Sequence, residues 1–325
     1  MGKDSKKRLY TTLRIFTIAV VLLWLAPLLW ANQIEGKRHT DFFEVWTWSR
    51  VWLSALFALA GLFLMIKFWV SRNVRFISLV LIVFTFGILW TLPLGSFSDG
   101  LDLHPTPLCT IEKPFVFLST GSTIPIFYLS ILAAIVILNI LGNKLFCGWV
   151  CPVGSLQEIV YRIPLPKKWK TKLPFRITNT IRLGIFFLFL ILLFSTGTSI
   201  YGYSNPFEFF HFEWQPLTIA ILTLTLIVAL FIFRPFCYLI CPLGLFTWLI
   251  EHIAIFRVRL DRDKCTKCNL CLKKSPCPTV PSILDGKKLR PDCHPCGRCI
   301  EVCPEKALTF QSFSFKQQNE KNQAD

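Results

Sequence analysis

Six long apolar stretches constrain this chain more than anything else in it, and they point to a bundle of membrane-crossing helices. They cover 13–31, 51–70, 76–94, 124–146, 181–200 and 217–236. A helix of about 20 residues spans a bilayer, and inside lipid a helix satisfies its backbone hydrogen bonds without outside partners. A seventh stretch, 243–256, is interrupted by Glu251 and His252 and is expected to lie along the interface. Composition agrees, with 53% hydrophobic and 17% charged residues, the latter below the quarter usual for soluble domains.

Lys and Arg outnumber Asp and Glu by 35 to 19. In a soluble chain that excess would suggest nucleic acid. Here the basic residues cluster between apolar stretches, so they read as cytoplasmic loop markers and no nucleic-acid partner is expected. Lys3, Lys6, Lys7 and Arg8 precede the first stretch, and Arg72 and Arg75 separate the second from the third. Arg162, Lys167, Lys168, Lys170, Lys172 and Arg176 lie between the fourth and fifth. The alternate loops are poor in basic residues, except the first, with Lys37, Arg38 and Arg50. The expected topology is six spans with both termini in the cytoplasm, in the inner membrane of a prokaryote.

The two later halves of the membrane region repeat one another. Lys113-Pro114-Phe115 leads to a span ending Phe146-Cys147-Gly148-Trp149-Val150-Cys151-Pro152-Val153-Gly154. Asn205-Pro206-Phe207 leads to one ending Phe236-Cys237-Tyr238-Leu239-Ile240-Cys241-Pro242-Leu243-Gly244. Repeats of this kind build sites between their halves. From Asp261 the apolar runs stop, and cysteine, proline and lysine take over. The expected organisation is an N-terminal membrane region over 1–106, the repeat region over 107–260, a small α+β ferredoxin-like domain over 261–312 and a polar tail over 313–325.

The C-terminal domain carries the most specific pattern. Cys293-x2-Cys296-x2-Cys299-x3-Cys303-Pro304 matches the bacterial [4Fe–4S] loop, in which three cysteines hold one cube and the fourth reaches the other. The companion run is Cys265-x2-Cys268-x2-Cys271-x5-Cys277-Pro278, whose last gap is two residues longer. Crossed ligation gives one cluster Cys265, Cys268, Cys271 and Cys303, and the other Cys293, Cys296, Cys299 and Cys277. Zinc is the alternative for paired C-x2-C units, but it would leave the third and fourth cysteines of each run unexplained. Asp285-Gly286, between the two runs, reads as a hairpin turn.

Cys147 and Cys151, and likewise Cys237 and Cys241, are four residues apart, a spacing that puts both thiols on one face of a helix. The proline that follows breaks the helix and turns backbone N–H groups toward the sulfurs. The chemistry of these cysteines stays open: another cluster, iron, Cu(I), a reversible disulfide, or thiols packed as small hydrophobes.

Twin CxxxCP motifs followed by two ferredoxin runs resemble the NapH/MauN-type membrane polyferredoxins, related to the membrane part of NosR, over about 107–310. The resemblance implies electron transfer at the cytoplasmic membrane, as a quinol dehydrogenase component with quinone and redox-protein partners. More distant relatives typified by CcoG share the cysteine motifs and reduce copper, which gives a rival reading: copper reduction or enzyme maturation through the CxxxCP thiols. Outside the motifs, Cys109 reads as a lone thiol in an outward loop. His104 and His211 have no haem-attachment context. Glu208 and Glu213 read by default as solvated loop carboxylates. Trp24, Trp30, Trp46, Trp48 and Trp52 fit an interfacial belt.

Overall fold

The apolar stretches become helices whose buried and exposed faces divide cleanly. The computed structural model describes residues 42–93, 95–102, 106–212, 215–286 and 292–312. The expected first span (13–31), Trp24, Trp30, Lys37, Arg38, His104, Glu213 and the tail 313–325 lie outside the described residues.

Helix α1, Ser49–Ile66, buries Ser54, Ala58, Gly61 and Met65 at helical spacing and exposes Leu56, Leu59 and Phe63. That stripe of small residues lets a neighbour approach the backbone, as in membrane helix pairs. Helix α2, Arg72–Gly87, starts at Ser71, whose hydroxyl accepts from Val74 N–H at 3.3 Å. It buries Arg75, Leu79, Ile82 and Phe86 and turns Phe76, Ile77, Val80 and Phe84 outward. The short helices α3 (Ser96–Asp102) and α4 (Cys109–Ser119) cross the loop that follows. Further on, α8, Phe175–Thr196, ends where Gly197 takes φ 71°, the left-handed cap that glycine adopts without strain.

Among the described residues, three stretches are long and apolar enough to cross a membrane: Ser49–Ile66, Arg72–Thr91 and Phe175–Thr196. The other two described ones are shorter than expected. Helices α5 (Ile126–Gly142) and α10 (Pro216–Ala229) have 17 and 14 residues. The chain bends after each through residues with positive φ, Asn143 (48°) and Lys144 (63°) in one repeat and Arg234 (50°) in the other. A left-handed non-glycine residue costs about 1–3 kcal/mol, and this one recurs at the same place in both repeats.

Each bend leads into two short helices. In the first repeat these are α6 (Leu145–Trp149) and α7 (Pro152–Tyr161); in the second, α11 (Pro235–Leu239) and α12 (Pro242–Ile250), with α9 (Ile200–Tyr203) before them in the chain. Helix α12 corrects the expectation of an interfacial helix at 243–256. Leu243, Leu245, Phe246, Thr247 and Ile250 are all buried, so it packs inside the bundle.

The C-terminal module is a two-stranded antiparallel sheet enclosing three short helices. Strand β1 (Arg257–Leu260) pairs with β2 (Leu308–Gln311), placing Val258 opposite Phe310. The module therefore starts before residue 261, where the composition shift had put the boundary. Between the strands run α13 (Leu270–Lys274), α14 (Val280–Leu284) and α15 (Arg298–Glu301). Asp285-Gly286 ends α14 and is not a hairpin turn: Asp285 caps the helix, and Gly286 takes φ 67° beyond it. Module and bundle share one continuous core, with Met65, Trp149 and Val258 in the same cluster as Cys271 and Cys293.

Gly61 is where α1 meets that core most tightly, since a Cβ there would stand 2.2 Å from the Trp149 ring. Gly61→Ala should therefore cost about 1–3 kcal/mol, seen as a lower thermal midpoint of the detergent-solubilised protein. An unchanged midpoint would mean the indole moves freely.

Candidate metal centres

The helix breaks between the paired cysteines, so they do not share one helical face as their spacing suggested. Cys147 lies in α6, whereas Cys151 is the extended residue that caps α7, with φ −65° and ψ 114°. Cys237 and Cys241 repeat the arrangement on α11 and α12. Each following proline occupies the first helical turn, where its missing N–H costs nothing. The next free amides then face the sulfurs, as when Gly154 N–H donates to Cys151 Sγ at 3.5 Å. At the matching place in the second repeat the Gly244 and Leu243 amides lie beside the Cys241 thiol, without a capping hydrogen bond of that kind. Two helix N-termini thus face the cysteines with their partial positive charge.

All four thiols are buried, and each is close enough to feel the charge of every other. The repeats also exchange side chains. Gln157 of α7 donates to Cys237 Sγ at 3.8 Å, and Thr247 of α12 lies beside the Cys147 thiol. Burial pushes the Cys147 thiol up to about 11, against the pull of Lys144 and Arg234. Cys241 is pushed to about 12 by burial and by Cys237 and Cys147.

A layer of buried ions surrounds this set. Glu158 binds Arg75 (Nη2 to Oε2 3.0 Å) and Arg234 (2.6 Å), with Arg162 at its rim (3.4 Å). Asp292 binds Lys144 and Arg182, the latter at 3.1 Å. The cations then reach the backbone around the cysteines. Arg234 donates to Cys147 O at 2.7 Å, Arg75 to Gly148 O at 2.8 Å, Arg182 to Cys237 O at 3.2 Å and Lys144 to Gly244 O at 3.3 Å. Arg234 and Lys144, the paired left-handed residues, therefore each cross to the opposite repeat. Four buried cations share two buried carboxylates here, an excess that favours an anion among the thiols. Arg75 had been read as a loop charge; its guanidinium is fully buried.

In the C-terminal module, Cys277, Cys293, Cys296 and Cys299 are buried and each feels all the others. Cys271 interacts with Cys268 and Cys303 and also with Cys299 of the first set. Cys265 is half-buried and Cys268 exposed. The module meets the membrane cysteines directly. Trp149 Nε1 donates to Pro295 O at 2.8 Å, and a Cβ on Gly148 would stand 3.1 Å from the Pro295 ring. Among the described residues no three His, Cys, Asp or Glu side chains gather tightly enough to hold a single metal ion.

The remaining candidates stand apart. Cys109 is buried at the start of α4 beside Asn205. The ring centroid of His211 lies 6.1 Å from that of Trp90. Glu208 accepts from Asn205.

A family model described as a 4Fe-4S binding domain matches residues 124–172 and 214–262, the two CxxxCP repeats. The chain is 30% identical to the ferredoxin-type protein NapH of Haemophilus influenzae, over 70% of this chain and 82% of that one. It belongs to the NapH-type ferredoxin family. The methylamine utilization ferredoxin-type protein MauN of Methylobacillus flagellatus is 26% identical, over 68% of this chain and 70% of its own. An uncharacterised protein of Methanocaldococcus jannaschii is 31% identical, over 55% and 69%. No solved structure matches. As a member of this family the chain is a 4Fe–4S electron-transfer protein, and its apolar helices make it a membrane protein.

Burial pushes the Glu158 carboxyl upward, and the charges of Arg75 and Arg234 more than reverse this, holding it well below its ordinary value near 4.5. The stability it contributes is complete above that value and is lost as pH falls toward the folded one. Glu158→Gln should cost about 3–5 kcal/mol near neutrality, because it strands buried guanidinium groups. It should also flatten the acid limb of the unfolding midpoint against pH. A variant matching wild type would show the network to be dispensable.

Proposed function

We propose that this chain is a multi-pass protein of the prokaryotic cytoplasmic membrane that carries electrons between a quinol and a partner redox protein. In this reading Cys265, Cys268, Cys271 and Cys303 hold one [4Fe–4S] cluster, and Cys293, Cys296, Cys299 and Cys277 hold a second. Cys147, Cys151, Cys237 and Cys241 hold a third centre. The observation that carries it is the last set: four mutually close buried thiols under two helix N-termini, ringed by more buried cations than carboxylates. A cube held by four thiolates is a net anion, which that surplus accommodates. Bound there, clusters supply reversible one-electron chemistry.

The protein's own residues do the rest. Gly148 and Trp149 against Pro295 keep the membrane cysteines next to the Cys293 set, and Cys299 lies near Cys271 of the Cys265 set. The burial of Phe146, Trp149 and Val150 keeps water from the thiols. Loop charge supports six spans with the ferredoxin module and both termini in the cytoplasm. A cavity of about 340 Å³ between α1 and α5 supports a quinol. It runs from Trp46, Arg50 and Trp52 to Phe146, Val150 and Pro152, which flank Cys147 and Cys151.

Iron and sulfide quantification with EPR tests the proposal. Wild type should hold three clusters, and the Cys147→Ser/Cys237→Ser double variant about two-thirds of that iron. Zinc in the ferredoxin sets would contradict the reading. So would unchanged iron in the variant, or Cu(II) reduction by these thiols in iron-free form. A quinol analogue should reduce wild type but not Ala134→Trp, which fills the cavity and leaves the iron content intact; equal reduction of both would remove the quinol from the scheme.

A further inference from the structure

Glu112 lies on α4, apart from every cysteine assigned above. Its side chain is 1% exposed. One oxygen, Oε1, accepts a hydrogen bond from the Ser199 hydroxyl, and Gly202 of α9 packs so closely that a Cβ would stand 3.1 Å from it. The other, Oε2, is buried without a hydrogen-bond partner among the described residues. No Lys, Arg or His forms an ion pair with it there either. A carboxylate in that setting has lost water without gaining compensation, so a negative charge added nearby tips it toward taking up a proton. Burial raises its proton affinity, against the Ser199 hydrogen bond and the charge of Lys113.

Tyr201, two residues after the Ser199 that donates to this acid, links its surroundings to the membrane cysteines. It is 1% exposed, and its ring centroid lies 5.0 Å from that of Phe189. Its hydroxyl donates to Ile240 O at 3.2 Å, the residue before Cys241. Its electrostatic neighbours are Cys241, Arg182 and Glu112. A buried acid with one unpartnered oxygen thus sits beside Ser199, two residues from a buried tyrosine whose hydroxyl meets the backbone next to Cys241.

Resting on the reading that the CxxxCP cysteines hold a redox centre, we propose that Glu112 is its proton-accepting group. When the centre gains an electron, Glu112 Oε2 gains a proton, and oxidation releases it. One electron enters the centre, the Glu112 O–H bond forms, and the O–H bond that breaks is one of a solvent hydronium ion, which is left as water. The driving force is electrostatic, because a negative charge added in a low-dielectric interior is less costly when a proton accompanies it. The ionisable groups facing Glu112 are few. Cys109 and Lys113 come from its own helix, Tyr128 from α5, Tyr201 from α9 and Glu208 across Asn205. Helix α8 carries Arg176 and Arg182 in its first two turns, and α12 has no ionisable residue from Pro242 to Ile250.

The test is a pH series of EPR-monitored redox titrations on the full-length protein, with redox-difference infrared spectra alongside. The potential of the centre should fall as pH rises, by up to about 59 mV per tenfold change in proton activity. Glu112→Gln should flatten that slope and Glu112→Asp should retain it. Wild type alone should gain a protonated-carboxyl band on reduction that Glu112→Gln lacks. A slope unchanged in Glu112→Gln overturns the inference, as does a wild-type centre whose potential ignores pH. Absence of any redox signal from the CxxxCP cysteines would instead sink the underlying reading along with it.

Discussion

Two buried carboxylates hold the cysteine sites in place. Glu158 gathers Arg75 and Arg234, and Asp292 gathers Lys144 and Arg182. Each of those cations then fixes a carbonyl of a cysteine or of a residue within three positions of one. Buried ion pairs of this kind add little net stability over a well-packed apolar core, yet removing one partner is expensive. Their contribution is therefore one of position. Glu158 fastens the first repeat to α2 and to the second repeat. Asp292, the residue before Cys293, fastens the ferredoxin module to the first repeat through Lys144 and to α8 through Arg182.

Placement of this kind is what an electron carrier requires of its protein. The module does not hang on a tether: its Pro295 lies against Gly148, and its Asp292 is wedged among membrane-domain cations. A strained, left-handed backbone at Lys144 and Arg234 lets these two side chains cross between the repeats. Local strain of this sort persists where the surroundings enforce it, often at functional sites. Family membership supplies the iron–sulfur chemistry, and the fold supplies proximity and dryness.

Much of this was legible in the sequence, because it was written in period and spacing. Apolar runs located the helices, and the two cysteine runs marked the ferredoxin module. The repeat anticipated that Cys147 and Cys237 occupy equivalent places. What escaped depends on tertiary context. Arg75, Arg162 and Arg176 look alike as loop charges, yet Arg75 is fully buried over Trp149, its guanidinium 4.5 Å from the ring centroid. Lys144 and Arg234 carried a signal, a cation three residues before each first cysteine, which the repeat itself displays. Asp292 gave none, since its partners are distant in the chain. The break between Cys147 and Cys151 was also missed, because a C-x3-C spacing fits a continuous helix equally well.

The central claim is that the repeated CxxxCP cysteines together hold an iron–sulfur centre beside the ferredoxin module. Anomalous scattering at the iron edge, from crystals of the anaerobically prepared protein, tests it most directly. The account predicts three separate iron peaks, one of them enclosed by Cys147, Cys151, Cys237 and Cys241 and nearest to the Cys293 set. Two peaks confined to the C-terminal module, with the four membrane cysteines empty of iron, would contradict it.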